Sequence, residues 1–163
     1  MKKGQLIILT LIATLFLGAC KKQGCTDCNA TNYNTEATED DNSCQFLNEA
    51  HLGTYAVEDS ITGPPTMDWN YDAYDIVLVR SNCAPNNLII SNYANKNNDF
   101  SGTIFNVECQ VDNNTITISP QNVQGKSIRS TSGYFSTDSI NFEIEYENEL
   151  GEVFYGRCYG IKN

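Results

Sequence analysis

Seven cysteines, a single histidine and a run of alternating glutamates are the residues of this 163-residue chain with chemistry to offer. Cys25-Thr26-Asp27-Cys28 has the spacing of a redox pair. Such a pair works at the start of a helix that follows a strand, where the dipole lowers one thiol pKa. The sequence writes neither a strand before it nor an apolar helix after it, so these cysteines read as structural. His51 stands without a nucleophile or second ligand nearby and reads as a surface or hinge residue. Glu143, Glu145, Glu147 and Glu149 occupy alternate positions, the pattern of a solvated strand face rather than of two carboxyls in contrasting environments. Gly125-Lys126-Ser127 imitates the end of a phosphate loop, but Pro120 takes the place of its first glycine and no helix follows. No catalytic constellation emerges, and the chain is expected not to be an enzyme.

The remaining thiol is Cys20. Lys2 and Lys3, an apolar run from Leu6 to Leu17 and the tetrapeptide Leu17-Gly18-Ala19-Cys20 resemble the leader of bacterial lipoproteins, in which small residues precede the cut and the cysteine carries diacylglycerol. The resemblance implies cleavage after Ala19, lipidation of Cys20 and anchoring by several acyl chains, palmitate among them. The apolar run is too short to stay as a membrane span, and each buried methylene of an acyl chain contributes about 0.8 kcal/mol to the anchor. Lys21 follows the cysteine where an aspartate would hold a lipoprotein at the inner membrane, so the outer membrane or cell surface of a Gram-negative bacterium is the expected address.

Loss of residues 1–19 leaves 144 of the 163, room for one ordinary domain and an appendage. It also removes Lys2 and Lys3, so that 10 basic against 20 acidic residues become 8 against 20, a net charge of −12. Such a surface repels phosphate backbones, which excludes nucleic acid as a partner, and repels anionic headgroups, which leaves the lipid rather than a basic patch to hold the membrane. Six cysteines remain in an oxidising compartment, and three disulfides are expected among the 15 pairings that six cysteines allow.

Residues 20–48 form a distinct segment. Within it Gly24-Cys25-Thr26-Asp27, Ala30, Asn32-Tyr33, Ala37, Asp40-Asp41 and Ser43-Cys44 resemble a short module, often repeated, of Gram-negative surface and secreted proteins with the pattern Gly-Cys-Thr-Asp, Ala-x-Asn-Tyr, Ala, Asp-Asp-Gly-Ser-Cys. Two residues depart from it. Asn42 replaces glycine but tolerates the left-handed backbone that glycine serves, and Cys28 stands where proline is common and is expected to reach out of the module. So short a stretch with almost no large apolar side chains cannot bury a core and needs a covalent staple; Cys25 to Cys44 is the natural one. The oxygens of Asp27, Asn29, Asn32, Asp40 and Asp41 raise calcium as a cofactor, but Asn32 and Thr38 stand where a calcium loop requires glycine and glutamate. A solvated turn cluster and no cofactor is the expectation.

From residue 49 to 163 the periodicity is two. Ile140, Phe142, Ile144 and Tyr146 alternate with charged neighbours, and Thr103, Phe105, Val107, Cys109 and Val111 alternate likewise. With Gly53–Val57, Tyr74–Arg80, Asn87–Ser91, Ile116–Ile118, Ser127–Phe135 and Glu152–Tyr159, the count is eight strands. Eight short antiparallel strands predict an all-β, closed up-and-down barrel, since closure removes exposed edges; a flattened β-sandwich is the alternative. Gly53-Thr54-Tyr55 and a late strand carrying Cys158 are similar to the small lipocalin-like domains of bacterial lipoproteins. That resemblance implies that Tyr55 takes the place of a floor tryptophan, with Arg157 as its partner. For the cysteines beyond the module, Cys83 to Cys158 with Cys28 to Cys109 is the first expectation, and Cys83 to Cys109 with Cys28 to Cys158 the rival.

These readings lead to a membrane-anchored, non-enzymatic surface lipoprotein that presents a rigid β domain to a partner. The alternative is a lipocalin-like carrier of a small apolar ligand, with Phe105, Phe142, Ile144 and Tyr146 lining its cavity; their size argues for a filled barrel instead. Asp59-Ser60-Ile61 and Asp138-Ser139-Ile140 resemble an O-glycosylation motif of some Gram-negative bacteria.

Overall fold

A computed structural model of the chain describes residues 21–64, 70–93 and 105–163. Two short strands, β1 (Gln23–Gly24) and β2 (Glu39–Asp40), pair in the N-terminal segment, and a 3-10 turn spans Glu49–His51. The remaining strands are β3 (Gly53–Thr62), β4 (Asn70–Arg80), β5 (Asn87–Tyr93), β6 (Phe105–Asp112), β7 (Thr115–Ile118), β8 (Gln121–Val123), β9 (Lys126–Ile128), β10 (Thr131–Phe135), β11 (Ser139–Glu147) and β12 (Val153–Lys162). Their order, β10-β7-β6-β5-β4-β3-β12-β11 with β11 returning to β10, closes an antiparallel barrel of eight staves. The barrel is the architecture expected, and the sandwich is not formed.

The strands follow the alternation of their side chains. In β11, Ile140, Phe142, Ile144 and Tyr146 are buried while Asn141, Glu143, Glu145 and Glu147 face outward. The single strand expected over Ser127–Phe135 is broken into β9 and β10, which lie end to end along β11 with the register shifted by one residue between Ile128–Tyr146 and Gly133–Phe142. One extra residue in an antiparallel ladder is a β-bulge, which bends the strand without ending it. A second bulge lies in β5, where the register shifts between Ile90 and Tyr93 and Asn92 takes φ 67°. It turns Tyr93 into the interior, where a Cβ on Gly156 of β12 would meet the Tyr93 hydroxyl at 2.5 Å. Gly156 is therefore the gap that the tyrosine fills.

The N-terminal module sits at the base of the barrel, the end where β3 begins and β12 finishes. The Cys25–Cys44 disulfide staples it as expected, with Cys25 and Ala30 as its buried centre, and closing that loop restricts the unfolded chain by about 3 kcal/mol. Asn42 takes φ 59° and donates its amide to Asp40 Oδ1, so the left-handed turn survives without glycine. Cys28 does reach out of the module, but to Cys83 in the loop after β4, and not to Cys109 or Cys158. Asn29 Oδ1 accepts the Cys83 amide at 2.8 Å beside this bond, Arg80 pairs with Glu49 at 2.5 Å, and the Arg80 guanidinium lies over the Phe46 ring. Module and barrel thus share a covalent and polar joint.

Candidate functional site

Three places in the barrel were candidates for function: the lumen, the floor and the outer face. The lumen is a packed core. Ile61, Ile76, Ile90, Tyr93, Val107, Ile116, Ile118 and Ile140 are all 0% exposed, and a void large enough for water would appear as accessible surface on the side chains around it. Phe142, Ile144 and Tyr146, expected to line the interior, do so and are fully buried there; the Phe105 side chain lies outside the described residues.

A charged side chain enters this core among its tyrosine hydroxyls. Asp59 of β3 points inward, 1% exposed, and accepts the Tyr74 hydroxyl at 3.0 Å. Around it, burial and then the Asp59 charge push Tyr146 and Cys158 well above their ordinary titration range, and burial pushes Tyr93 up in the same way. Cys109, on β6, is pushed up to about 12 by burial. Both of these thiols are free and buried, which corrects the expectation of three disulfides. Cys158 was expected to pair with Cys83 or Cys28, but the inward row of β12 is Phe154, Gly156, Cys158 and Gly160, and β6 stands four staves away on the opposite wall. Cys83 is outside, beside Cys28, and can reach neither.

The floor also differs from expectation. Tyr55 is buried and donates its hydroxyl to His51 O at 3.1 Å, while the His51 ring stacks on Phe135 at 3.9 Å and its Nε2 lies 3.1 Å from Asn113 O. Lys162, in register with Tyr55, donates Nζ to Ala50 O at 2.6 Å. Arg157 is not the partner of Tyr55: it lies opposite Ser60 on the outer face and pairs with Glu143 at 3.3 Å. Glu145 and Glu147 both bind Arg129, so the alternating acids form surface ion pairs.

In the module, Asp27, Asp40 and Asp41 each accept the backbone amide two residues ahead, Asn32 Oδ1 accepts from Gln45, and Asn29 Oδ1 is held by Cys83. These are turn-capping bonds, and among the described residues no three His, Cys, Asp or Glu side chains converge as metal ligands. Lys21 and Lys22 pair with Glu39 and Glu36. Cys20 lies outside the described residues. Of the two Asp-Ser-Ile motifs, Ser60 stands in mid-strand beside buried Asp59, whereas Ser139 opens β11 after an exposed Asp138.

The outer face of β11, β12, β3 and β4 carries what sequence reading missed. Strand register sets Glu143, Arg157, Ser60 and Tyr71 in one row and Asn141, Tyr159, Glu58 and Ala73 in the next. Small Ser60 and Ala73 between longer side chains leave a groove of about 780 Å³. A second groove of about 480 Å³, past Tyr155, shares Glu143 and Arg157 with it, and a third of about 510 Å³, past Ile161, shares Glu58, Ala73 and Tyr159. The three lie in succession along β3 and β12, row by row, as one trough.

No family model matches the chain, and no curated protein does. Among solved structures it is similar to a protein of unknown function of the DUF3598 family from Nostoc punctiforme, at 10% identity and a TM-score of 0.44 over 72% of this chain. The chain spans 49% of that protein's length.

Proposed function

We propose that this chain is a non-enzymatic, lipid-anchored surface protein: exported, lipidated at Cys20, and presenting the outside of a filled β-barrel to a partner beyond the outer membrane of a Gram-negative bacterium. The observation that carries the reading is the Cys28–Cys83 disulfide. A structural cystine between segments is at home in an oxidising compartment outside the cytoplasm, and this one joins the segment next to the proposed anchor to the barrel itself. A flexible spacer has no such bond. The barrel is consequently held at a fixed angle to its attachment point, as suits a domain that offers a surface. A carrier of a small apolar ligand is the weaker reading, because Phe142, Ile144 and Tyr146, three of the side chains that would line its cavity, belong to the packed core.

Detergent phase separation of the expressed full chain tests the anchor. The wild type is expected in the detergent phase, and Cys20→Ser in the aqueous phase or as an uncleaved precursor. A cleaved Cys20→Ser protein that still partitions into detergent overturns the lipid anchor.

A further inference from the structure

We infer that the trough on the outer face of β11, β12, β3 and β4 binds a neutral oligosaccharide. The inference deepens the surface-protein reading by naming a ligand class, but its geometry does not depend on the anchor.

The trough is built on a sheet face, and this decides how a ligand can be read. Backbone N–H and C=O groups there are engaged in the ladders β11–β12, β12–β3 and β3–β4. An extended peptide takes its affinity from main-chain bonds at a free strand edge, and the floor of the trough on β12 and β3, each laddered on both sides, offers none. Recognition on that floor comes from side chains. Those present are aromatic rings beside hydroxyls, carboxylates and one guanidinium. Tyr71, Tyr155 and Tyr159 are 76%, 50% and 47% exposed, far from the burial usual for large apolar rings. A ring face packs against the C–H face of a sugar, while the acids and Asn141 accept and donate to its hydroxyls.

Size and charge narrow the ligand further. Tyr159 and Tyr71 lie two strands and one row apart, so strand spacing sets their Cβ atoms roughly 12 Å from each other. That is a platform for a short oligosaccharide rather than one sugar, and the two flanking grooves prolong it. Glu58, Glu143 and Glu145 against Arg157 leave the lining negative, on a chain that is acidic throughout. Sulfated or uronic chains are repelled. Arg157 and Glu143 are both about two-thirds exposed; a pair so wet contributes little to stability and can turn either partner onto a ligand hydroxyl.

The experiment is calorimetric titration of the full chain, held in an amine-oxide detergent with no sugar headgroup. The probes are glucose-, mannose-, xylose- and N-acetylglucosamine-based hexasaccharides, a chondroitin sulfate hexasaccharide and an oligolysine peptide. At least one neutral hexasaccharide is expected to bind about tenfold tighter than the sulfated and peptide probes. Tyr71→Ala and Tyr159→Ala should each weaken it about tenfold with unchanged circular dichroism, and Ala73→Trp, which fills the trough floor, should abolish it. Binding by no neutral probe, equal or tighter binding by oligolysine or the sulfated chain, or undiminished binding by the folded tyrosine variants overturns the inference. None of these results alters detergent partitioning, which reads the anchor separately.

Discussion

The side-chain amide of Gln121 stands in for a strand against Glu108: its Oε1 accepts the Glu108 backbone amide at 3.0 Å and its Nε2 donates to the Glu108 carbonyl at 2.7 Å. The β6–β7 ladder reaches Gln110–Thr117, and the next backbone partner would fall beside Pro120, which has no N–H to give. Gln121 folds its side chain back across that break, and the stave resumes as β8. Gln121→Ala removes both bonds and should cost about 1 kcal/mol, measured as a lower urea midpoint with unchanged slope. An unchanged midpoint would mean that water replaces the amide without loss.

Cys28→Ser opens a loop of 55 residues, for which the chain-entropy estimate is about 4 kcal/mol. Denaturation of the variant should show most of this loss, while Cys25–Cys44 persists in non-reducing peptide maps. A map of the wild type joining Cys158 to Cys83 or to Cys28 contradicts the described connectivity.

The two buried thiols give a count. Burial holds Cys109 up at about 12 and Cys158 higher still, so thiolate is scarce at pH 8, and the thiolate is the reactive form. With Cys20 lipidated as proposed, iodoacetamide at pH 8 should leave the native protein unmodified and add two groups after unfolding in urea. Two groups added under native conditions would show that these residues are open to solvent.

Alkali should destabilise the fold. Below about pH 8 Cys109, Cys158, Tyr93 and Tyr146 are mostly protonated in folded and unfolded chains alike. Above it the unfolded chain releases these protons while the folded chain, with its raised values, retains them. The folded state then binds more protons, so stability falls as pH rises, by up to about 1.4 kcal/mol per pH unit for each group. Urea midpoints from pH 7 to 11 test this; a flat profile refutes the buried, protonated cluster.

Gly156→Ala places a methyl against the Tyr93 hydroxyl and should cost about 1 to 3 kcal/mol, the usual penalty for overpacking. In a Tyr93→Phe background the same change should cost less, because the group it meets is gone. Equal costs in both backgrounds would deny the contact.

The sequence was most legible where apolar alternation is unbroken. Ile140 to Tyr146 announces β11 because every second residue is large and apolar. Reading stopped short in β3, whose inward row continues from Val57 through Asp59 to Ile61; an acid on the core face looks like the end of a strand until the Tyr74 hydroxyl across the ladder is seen to meet it. Cys158 was mispaired for a related reason. Gly156 and Gly160 flank it in the inward row of β12, and glycines carry no apolar signal, so the face could not be read. The trough was invisible altogether, since its residues come from four strands and meet only through register.

The Cys28–Cys83 bond also changes where force enters the barrel. Tension between an anchored N-terminus and a load held on the side of the staves would otherwise pull at Gly53 and peel β3 outward from its first residue. With the bond in place, the covalent path leaves the module at Cys28 and arrives at Cys83, beyond the last residue of β4. Residues 29–52 and β3 then lie off the line of pull. A reductant would return the load to Gly53, so in a chain anchored as proposed the redox state of this one bond would set the mechanical strength of the attachment.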